Sequence, residues 1–159
     1  MKNIRKAQIE DYEIIDNFIE ELHDMHVKAR PDMYRPAEHV YTMSEYKQIL
    51  NSDDKEVLVY EEAGRVVAAC FITFRISTKN PVMVETPILY VEDIFVDKEF
   101  RKKGIGAELY KYVRKLAQER KCQRIELMVW EFNQDAIQFY KKMGMNVQRS
   151  FFEENVENN

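Results

Sequence analysis

Two of the four glycines in this chain of 159 residues stand in one short run, Arg101-Lys102-Lys103-Gly104-Ile105-Gly106-Ala107. Before it, residues 88–96 are rich in β-branched and aromatic side chains. After it, Ile105, Leu109, Val113, Leu116 and Ala117 keep the spacing of a helix face. The run is therefore read as a turn from a strand into a helix. With a further strand at 125–129 this becomes a strand-helix-strand crossover, which makes its two strands parallel and covers one face of a sheet. Glycines at such a turn let main-chain amides approach an anion at the helix N-terminus, where the macrodipole also favours negative charge. From Lys98 to Arg124 ten basic residues stand against three acids, in a chain whose formal net charge is -4. Arg101, Lys102 and Lys103 directly before the glycines point to a guest with more than one phosphate. A tight strand-to-helix connection with a packing requirement is the competing reading of a bare Gly-x-Gly.

The remaining chain reads as elements around that junction. Ile14, Ile15, Phe18, Ile19 and Leu22 repeat at helical spacing among seven acids between Glu10 and Asp24, with no Lys or Arg, so an amphipathic helix with an acidic outer side is expected. Pro31 and Pro36 imply a loop over 29–36, and a shorter helix follows at 44–50. Residues 57–60 and 65–74, separated by Glu61, Glu62, Ala63 and Gly64, read as a β-hairpin. Ala136, Ile137, Tyr140 and Met143 mark a last helix closed by Gly144, and 147–152 supplies a final strand. The fold class is α/β (α+β): a mixed, mainly antiparallel sheet with helices on both faces. Residues 1–153 form one domain and 154–159 a polar tail.

Composition removes several functions. The hydrophobic share of 45% and charged share of 33% are those of a folded domain, and the longest apolar stretch, 66–72, is far below the ~20 residues of a membrane span. No membrane partner is expected. Met1, Lys2, Asn3 and Ile4 lead into charged residues without the apolar core of a signal peptide, so the cytoplasm is the expected location. Cys70 and Cys122 are too few and too far apart for a disulfide framework or a zinc knuckle, and both are read as interior residues. His23 and His26 lie three apart on the acidic helix, but His39 is the only other histidine, so no metal site is expected. The acidic total disfavours nucleic acid as a partner.

Dinucleotide and nucleoside-triphosphate signatures fail here, since Leu109 stands where the third glycine of Gly-x-Gly-x-x-Gly belongs and Ala107-Glu108 where a Walker turn needs Lys-Ser/Thr. The segment instead resembles the Arg/Gln-x-x-Gly-x-Gly/Ala acyl-CoA signature of the GNAT acetyltransferase superfamily. The similarity extends from Ile88 to Gly144, through Val91-Glu92-Asp93-Ile94-Phe95-Val96, Phe100-Arg101, Asn133, Ala136 and Phe139-Tyr140. The resemblance implies acetyl-CoA as cosubstrate. Main-chain amides at Ile94, Phe95 and Val96 would hold the pantetheine and thioester. Those of Arg101, Lys102, Lys103, Gly104, Ile105, Gly106 and Ala107 would hold the pyrophosphate. Asn133 matches a position that touches the cofactor, although an Asn opening a helix also serves as an N-cap. Tyr140 matches the tyrosine that hydrogen-bonds the sulfur and protonates the departing thiolate.

A thioester is already activated, so an amine needs positioning, loss of a proton and stabilisation of the carbonyl oxygen, and no metal is required. Because an amine with pKa ~10 is mostly protonated at neutral pH, a base or a water chain must act. Glu92 is the expected base. Asp93, expected on the opposite face of the strand, is second, and pairing of both acids with Arg or Lys neighbours is the alternative. Trp130 and Phe132 are read as ordinary packing. The Glu92-Asp93-x-x-Val96 strand, with Asn133 and Phe139-Tyr140-Lys141, is similar to diamine (polyamine) acetyltransferases, which implies a small cationic amine as acceptor. A protein N-terminus, as in the ribosomal-protein acetyltransferases, and a non-catalytic acyl-CoA-binding module are the alternatives, and a homodimer is left open.

Overall fold

A computed structural model describes residues 3–156. Residues up to Met128 form one compact unit and those from Val129 a second. The first is built on a five-stranded sheet in the order β1 (Ile4–Lys6), β2 (Lys55–Glu62), β3 (Arg65–Ile76), β4 (Pro87–Val96), β5 (Arg124–Glu126). Every neighbouring pair is antiparallel except β4 and β5, the pair joined through α3 (Ile105–Glu119), which is parallel. Chain reversal through a tight turn at Ala63 and Gly64, both with positive φ, makes β2 and β3 antiparallel; the helical crossover makes β4 and β5 parallel.

Period-two alternation sends successive side chains of β2 and β3 to opposite faces. Leu58, Tyr60, Cys70 and Ile72 pack with Val91 of β4 under Ile105, Leu109 and Val113 of α3. Val57, Val59, Ala69 and Phe71 pack on the other face under Ile15, Phe18 and Ile19 of α1 (Tyr12–Ala29) and Tyr46 of α2 (Met43–Leu50). Fully burying a side chain such as Leu109 or Val113 contributes roughly 1.5–3 kcal/mol, so the two layers hold the sheet from both sides. This is the expected mixed sheet with helices on both faces.

Three local expectations change. A short strand, β1, forms from Ile4, Arg5 and Lys6, held beside β2 while the Arg5 guanidinium binds Asp11 at 2.7 Å. Asp11 is therefore buried instead of lying on a solvated acidic face, and it stands in a 3-10 turn before α1. The strand expected over 125–129 is only Arg124–Glu126. The strand expected at 147–152 does not form, and Phe151 and Phe152 are left exposed. Its apolar residues, Val147, Phe151 and Phe152, find no ladder partner, and a strand without one leaves its main-chain groups to water. Of the expected tail, 157–159 lie outside the described residues, as do Met1 and Lys2 of the expected leaderless start.

The second unit contains α4 (Gln134–Lys142), opened by Asn133, whose side chain accepts from the Ala136 amide, and ended at Gly144, which has φ 89°. Only a residue without Cβ adopts that conformation at low cost, which stops the helix.

Candidate active site

The glycine turn is where the sequence places it, between β4 and α3. Residues Lys98–Phe100 make one 3-10 turn, Lys102 then adopts φ 62° and Gly104 φ 89°, and α3 starts at Ile105. No side chain caps that start. The carboxylate of Glu108, in the first turn, accepts from Tyr60 Oη at 3.2 Å instead of folding back on the amides. The amides of Ile105, Gly106 and Ala107 thus stand at the positive end of a fifteen-residue helix without a side-chain acceptor among the described residues. That donor set fits a pyrophosphate. Arg101 and Lys103 are turned elsewhere: Arg101 Nε donates to the Val96 carbonyl at 2.8 Å and its terminal nitrogen to Glu21 at 3.1 Å, while Lys103 Nζ lies over the Phe100 ring. The link from Arg101 to Glu21 on α1 has no sequence signal, because it spans 80 residues.

β5 pairs with β4 only at Ile88, Leu89 and Tyr90. Beyond Tyr90 the β5-facing edge of β4, which includes Ile94, Phe95 and Val96, has no ladder partner among the described residues, and an extended ligand can pair with such an edge. Phe95 itself is buried, stacked on Phe18 at 4.6 Å between ring centres, and Ile94 packs under α3. Side-chain packing therefore fixes the strand while its edge stays open.

Glu92 and Asp93 lie at a β-bulge: Val91 pairs with Ile72 and Asp93 with Phe71, so Glu92 is the extra residue. A bulge breaks the alternation of faces. Glu92 Oε1 accepts from Thr73 Oγ1 at 2.9 Å, and Thr73 and Phe71 share one side of β3, toward α1 and α2. Both carboxylates thus sit on the same side of the sheet, and the expectation of opposite faces is corrected. Burial, and then the charge of Glu92, push the Asp93 carboxyl up to about 6. Neither acid forms an ion pair among the described residues, which corrects the alternative of Arg or Lys pairing and sets them apart from Asp11, Asp16, Glu56 and Asp97, all held by cationic or imidazole partners. A ring from the 30–42 segment stands beside them: Tyr41 stacks at 5.7 Å on Phe71, the residue paired with Asp93. The sequence does not single out Tyr41, whose only local signal is a tyrosine before a short helix.

The histidines serve that same segment. His39 Nδ1 meets Asp16 Oδ2 at 2.7 Å, His23 Nε2 meets the Arg35 carbonyl at 2.8 Å, and His26 packs on Tyr34. Burial lowers the His26 pKa, an environment that favours the neutral ring. Among the described residues no cluster of His, Cys, Asp and Glu could hold a metal ion, and no helix is long and apolar enough to cross a membrane. Cys70 is buried and Cys122 half-buried. In the second unit, Trp130 and Phe132 stack at 5.9 Å, and Tyr140, half-buried on α4, meets Phe139 edge to face at 5.2 Å.

The profile of the acetyltransferase (GNAT) family matches residues 19–145. The L-ornithine N5-acetyltransferase of Arabidopsis thaliana is 33% identical over 98 residues, which cover 62% of this chain and 42% of that protein. The spermine/spermidine N(1)-acetyltransferase of Bacillus subtilis is 27% identical over 104 residues, 63% of this chain and 68% of that one. The chain thus spans less than half the length of the plant relative. Among solved structures, a mutant of the BH1408 protein of Bacillus halodurans superposes with a TM-score of 0.92 at 28% identity, over 97% of this chain and 99% of that one.

Proposed function

The chain belongs to the acetyltransferase (GNAT) family, and from that premise we propose that it transfers an acetyl group from acetyl-CoA to a primary amine by direct attack within a ternary complex. The observation that carries this reading is the uncapped start of α3 at Gly104, placed directly after a β4 strand whose edge is open. Acetyl-CoA, when bound, supplies an acyl group already activated as a thioester. The amides from Lys102 to Ala107 hold its pyrophosphate, with Lys102 adding positive charge, whereas the Arg101 amide donates to the Lys98 carbonyl at 3.4 Å and the Arg101 and Lys103 side chains are engaged by Glu21 and Phe100; the edge at Ile94, Phe95 and Val96 orients the chain that leads to the thioester. Asn133 caps α4, and its role toward the cofactor is taken from its match to the family position.

Glu92, open to water and held by Thr73, removes the proton from the incoming ammonium group, directly or through a water. Asp93, on the same side, shares that task and adds its charge. Tyr140 donates its hydroxyl proton to the departing sulfur, a role taken from its match to the family position in Phe139-Tyr140-x-x-x-Gly144. The relatives are named for transfers to ornithine and to spermine or spermidine, and two carboxylates without an ion pair among the described residues suit the same kind of acceptor: a small cationic amine. Residues 1–153 act as one catalytic domain, a reading supported by a family match that runs through both compact units.

The test is incubation of the purified chain with acetyl-CoA and, in separate reactions, spermidine, ornithine and a peptide with a free N-terminus, reading out free thiol and the mass of the product. Turnover of the small amines, with kcat/KM falling as salt is raised, is expected. Acetylation of the peptide alone sinks the small-amine assignment, and no thiol release with any acceptor sinks the enzyme.

A further inference from the structure

We propose that Tyr41 determines acceptor specificity in the transfer proposed above, its ring supporting the carbon chain of a diamine whose second ammonium group lies at Glu45. The proposal rests on that reading of the site and adds the residues that read the acceptor beyond its reacting nitrogen.

Tyr41 stands at a junction. One side of its ring stacks on Phe71, the β3 residue paired with Asp93. The same residue also lines a cavity of about 240 Å³, with Glu45, Gln48, Ile49, Ser52 and Lys55 on its walls. The cavity is walled by α2, by Ser52 and by Lys55 of β2, and Tyr41 is the residue it shares with the Phe71 stack beside Asp93, so an acceptor that begins at the carboxylate pair and runs along the Tyr41 ring is directed toward Glu45. Burial, and then the charges of Asp93, Glu92 and Glu45, push the Tyr41 phenol up, which places one aromatic ring within reach of three acids.

None of the three acids forms an ion pair among the described residues. Glu92 accepts from a hydroxyl, Glu45 Oε2 accepts from the amide and hydroxyl of Thr42, and Asp93 has no ion-pair partner among the described residues. Lys55 is the one cation on the cavity wall, and it forms no ion pair with any of them among the described residues. An alkyl chain with an ammonium group at each end supplies what is absent: charge at the carboxylates and apolar surface, or a cation over the ring face, at Tyr41.

Tyr41 is also held in place. Its carbonyl accepts from Tyr12 Oη at 2.8 Å, and the segment before it is tied to α1 by His39 on Asp16 and by the Arg35 carbonyl on His23. Replacing the Tyr41 side chain leaves that main-chain bond intact. Glu45→Gln likewise preserves the reciprocal capping with Thr42, for which glutamine serves as well as glutamate, and removes only the charge.

The experiment compares 1,4-diaminobutane with n-butylamine as acceptors, in the parent chain, Glu45→Gln, Tyr41→Leu and Tyr41→Phe, reading kcat and KM by thiol release and binding of each amine to the CoA-loaded protein by calorimetry. The parent is expected to favour the diamine. Glu45→Gln and Tyr41→Leu should each lower the diamine-to-monoamine ratio of kcat/KM by about two- to five-fold, the worth of one solvent-exposed charge pair, through KM and not kcat. Tyr41→Phe, which keeps the ring, should restore the ratio. A ratio that both variants leave at the parental value overturns the role of Tyr41 while the acetyltransferase stands. If neither amine turns over, the calorimetry decides: diamine binding that Glu45→Gln weakens supports the assignment, and diamine binding no tighter than that of the monoamine overturns it.

Discussion

Two stretches of one chain segment, the bulge at Glu92 and Asp93 and the helix start at Gly104 to Ala107, are built on opposite rules. At the bulge the ladder between β3 and β4 is broken so that two acids share one side of the sheet without a cation paired to them among the described residues. At the helix start the ladder has already ended, and main-chain donors stand without a side-chain cap. One stretch gathers uncompensated negative charge, the other uncompensated positive ends of dipoles. Each is an unfavourable arrangement for an empty protein and a favourable one for a ligand of the opposite sign. In the proposed function the amine takes the first and the phosphates the second, with the open edge of β4 between them.

That separation implies that chemistry and cofactor binding break independently. The largest effect is expected on turnover. Glu92→Gln should lower kcat by about 100-fold at neutral pH, the usual scale for a proton-transfer group, and the residual rate should climb at higher pH as more free amine becomes available. Tyr140→Phe should lower kcat on a similar scale. In both variants the affinity for CoA, by calorimetry, should match the parent. A loss of CoA affinity in Glu92→Gln would show that the bulge and the helix start are one site and end the comparison.

The second effect concerns stability. Because the folded Asp93 carboxyl titrates at about 6 against an ordinary value of 3.8, the folded chain binds the proton more tightly than the unfolded one. The ionised carboxylate therefore destabilises the fold, fully above about pH 6 and not at all below about pH 4. Asp93→Asn should raise the stability at pH 8 by on the order of 2 kcal/mol, and the gain should fade as pH falls from 6 to 4. Denaturant unfolding across that range measures it. A gain that is the same at pH 4 and pH 8 would mean that charge is not its source. Glu92→Gln should shift the Asp93 titration downward, since the charge of Glu92 is one of its causes.

The third tests the other stretch. Gly106→Val introduces a β-branched side chain in the first turn of α3 and should weaken CoA binding about ten-fold or more, roughly 1.4 kcal/mol, by holding the phosphates off the amides. The Asp93 titration should not move. Unchanged CoA affinity would remove the helix start from the site.

These two stretches are not equally legible in the sequence. Gly104 and Gly106 announce their turn because a strand pattern ends before them and a helix pattern begins after them, all within local sequence. Glu92 and Asp93 are adjacent acids in an apolar strand, which marks them as unusual, but which way each points depends on the register with β3. Alternation alone sends them to opposite faces, and the bulge reverses that. Non-local pairing accounts for the other differences as well. Ile4, Arg5 and Lys6 become a strand only beside Leu58, Val59 and Tyr60, and the strand-like pattern at 147–152 finds no ladder to join. Tyr41 has almost no local signal; it acquires its place through Phe71 and through the contacts that hold 30–42 on α1.

The smallest effect comes from the control that the helix starts themselves provide. α2 opens with a reciprocal cap in which the Thr42 hydroxyl accepts from the Glu45 amide and the Glu45 carboxylate accepts from the Thr42 amide, so those two donors find partners within the chain. α3 opens with Gly104 and has no such cap. Thr42→Ala should therefore cost about 1 kcal/mol, seen as a fall in Tm of about 2–4 °C, with no change in CoA affinity. Saturating CoA should raise the Tm of parent and Thr42→Ala by the same amount, because stabilisation by a ligand depends on its concentration relative to Kd, and Kd is set at α3. A cap lost at α2 that also weakened CoA binding would mean that helix starts in this fold answer to overall stability and not to their own donors, and the contrast between α2 and α3 would carry no information about where the phosphates bind.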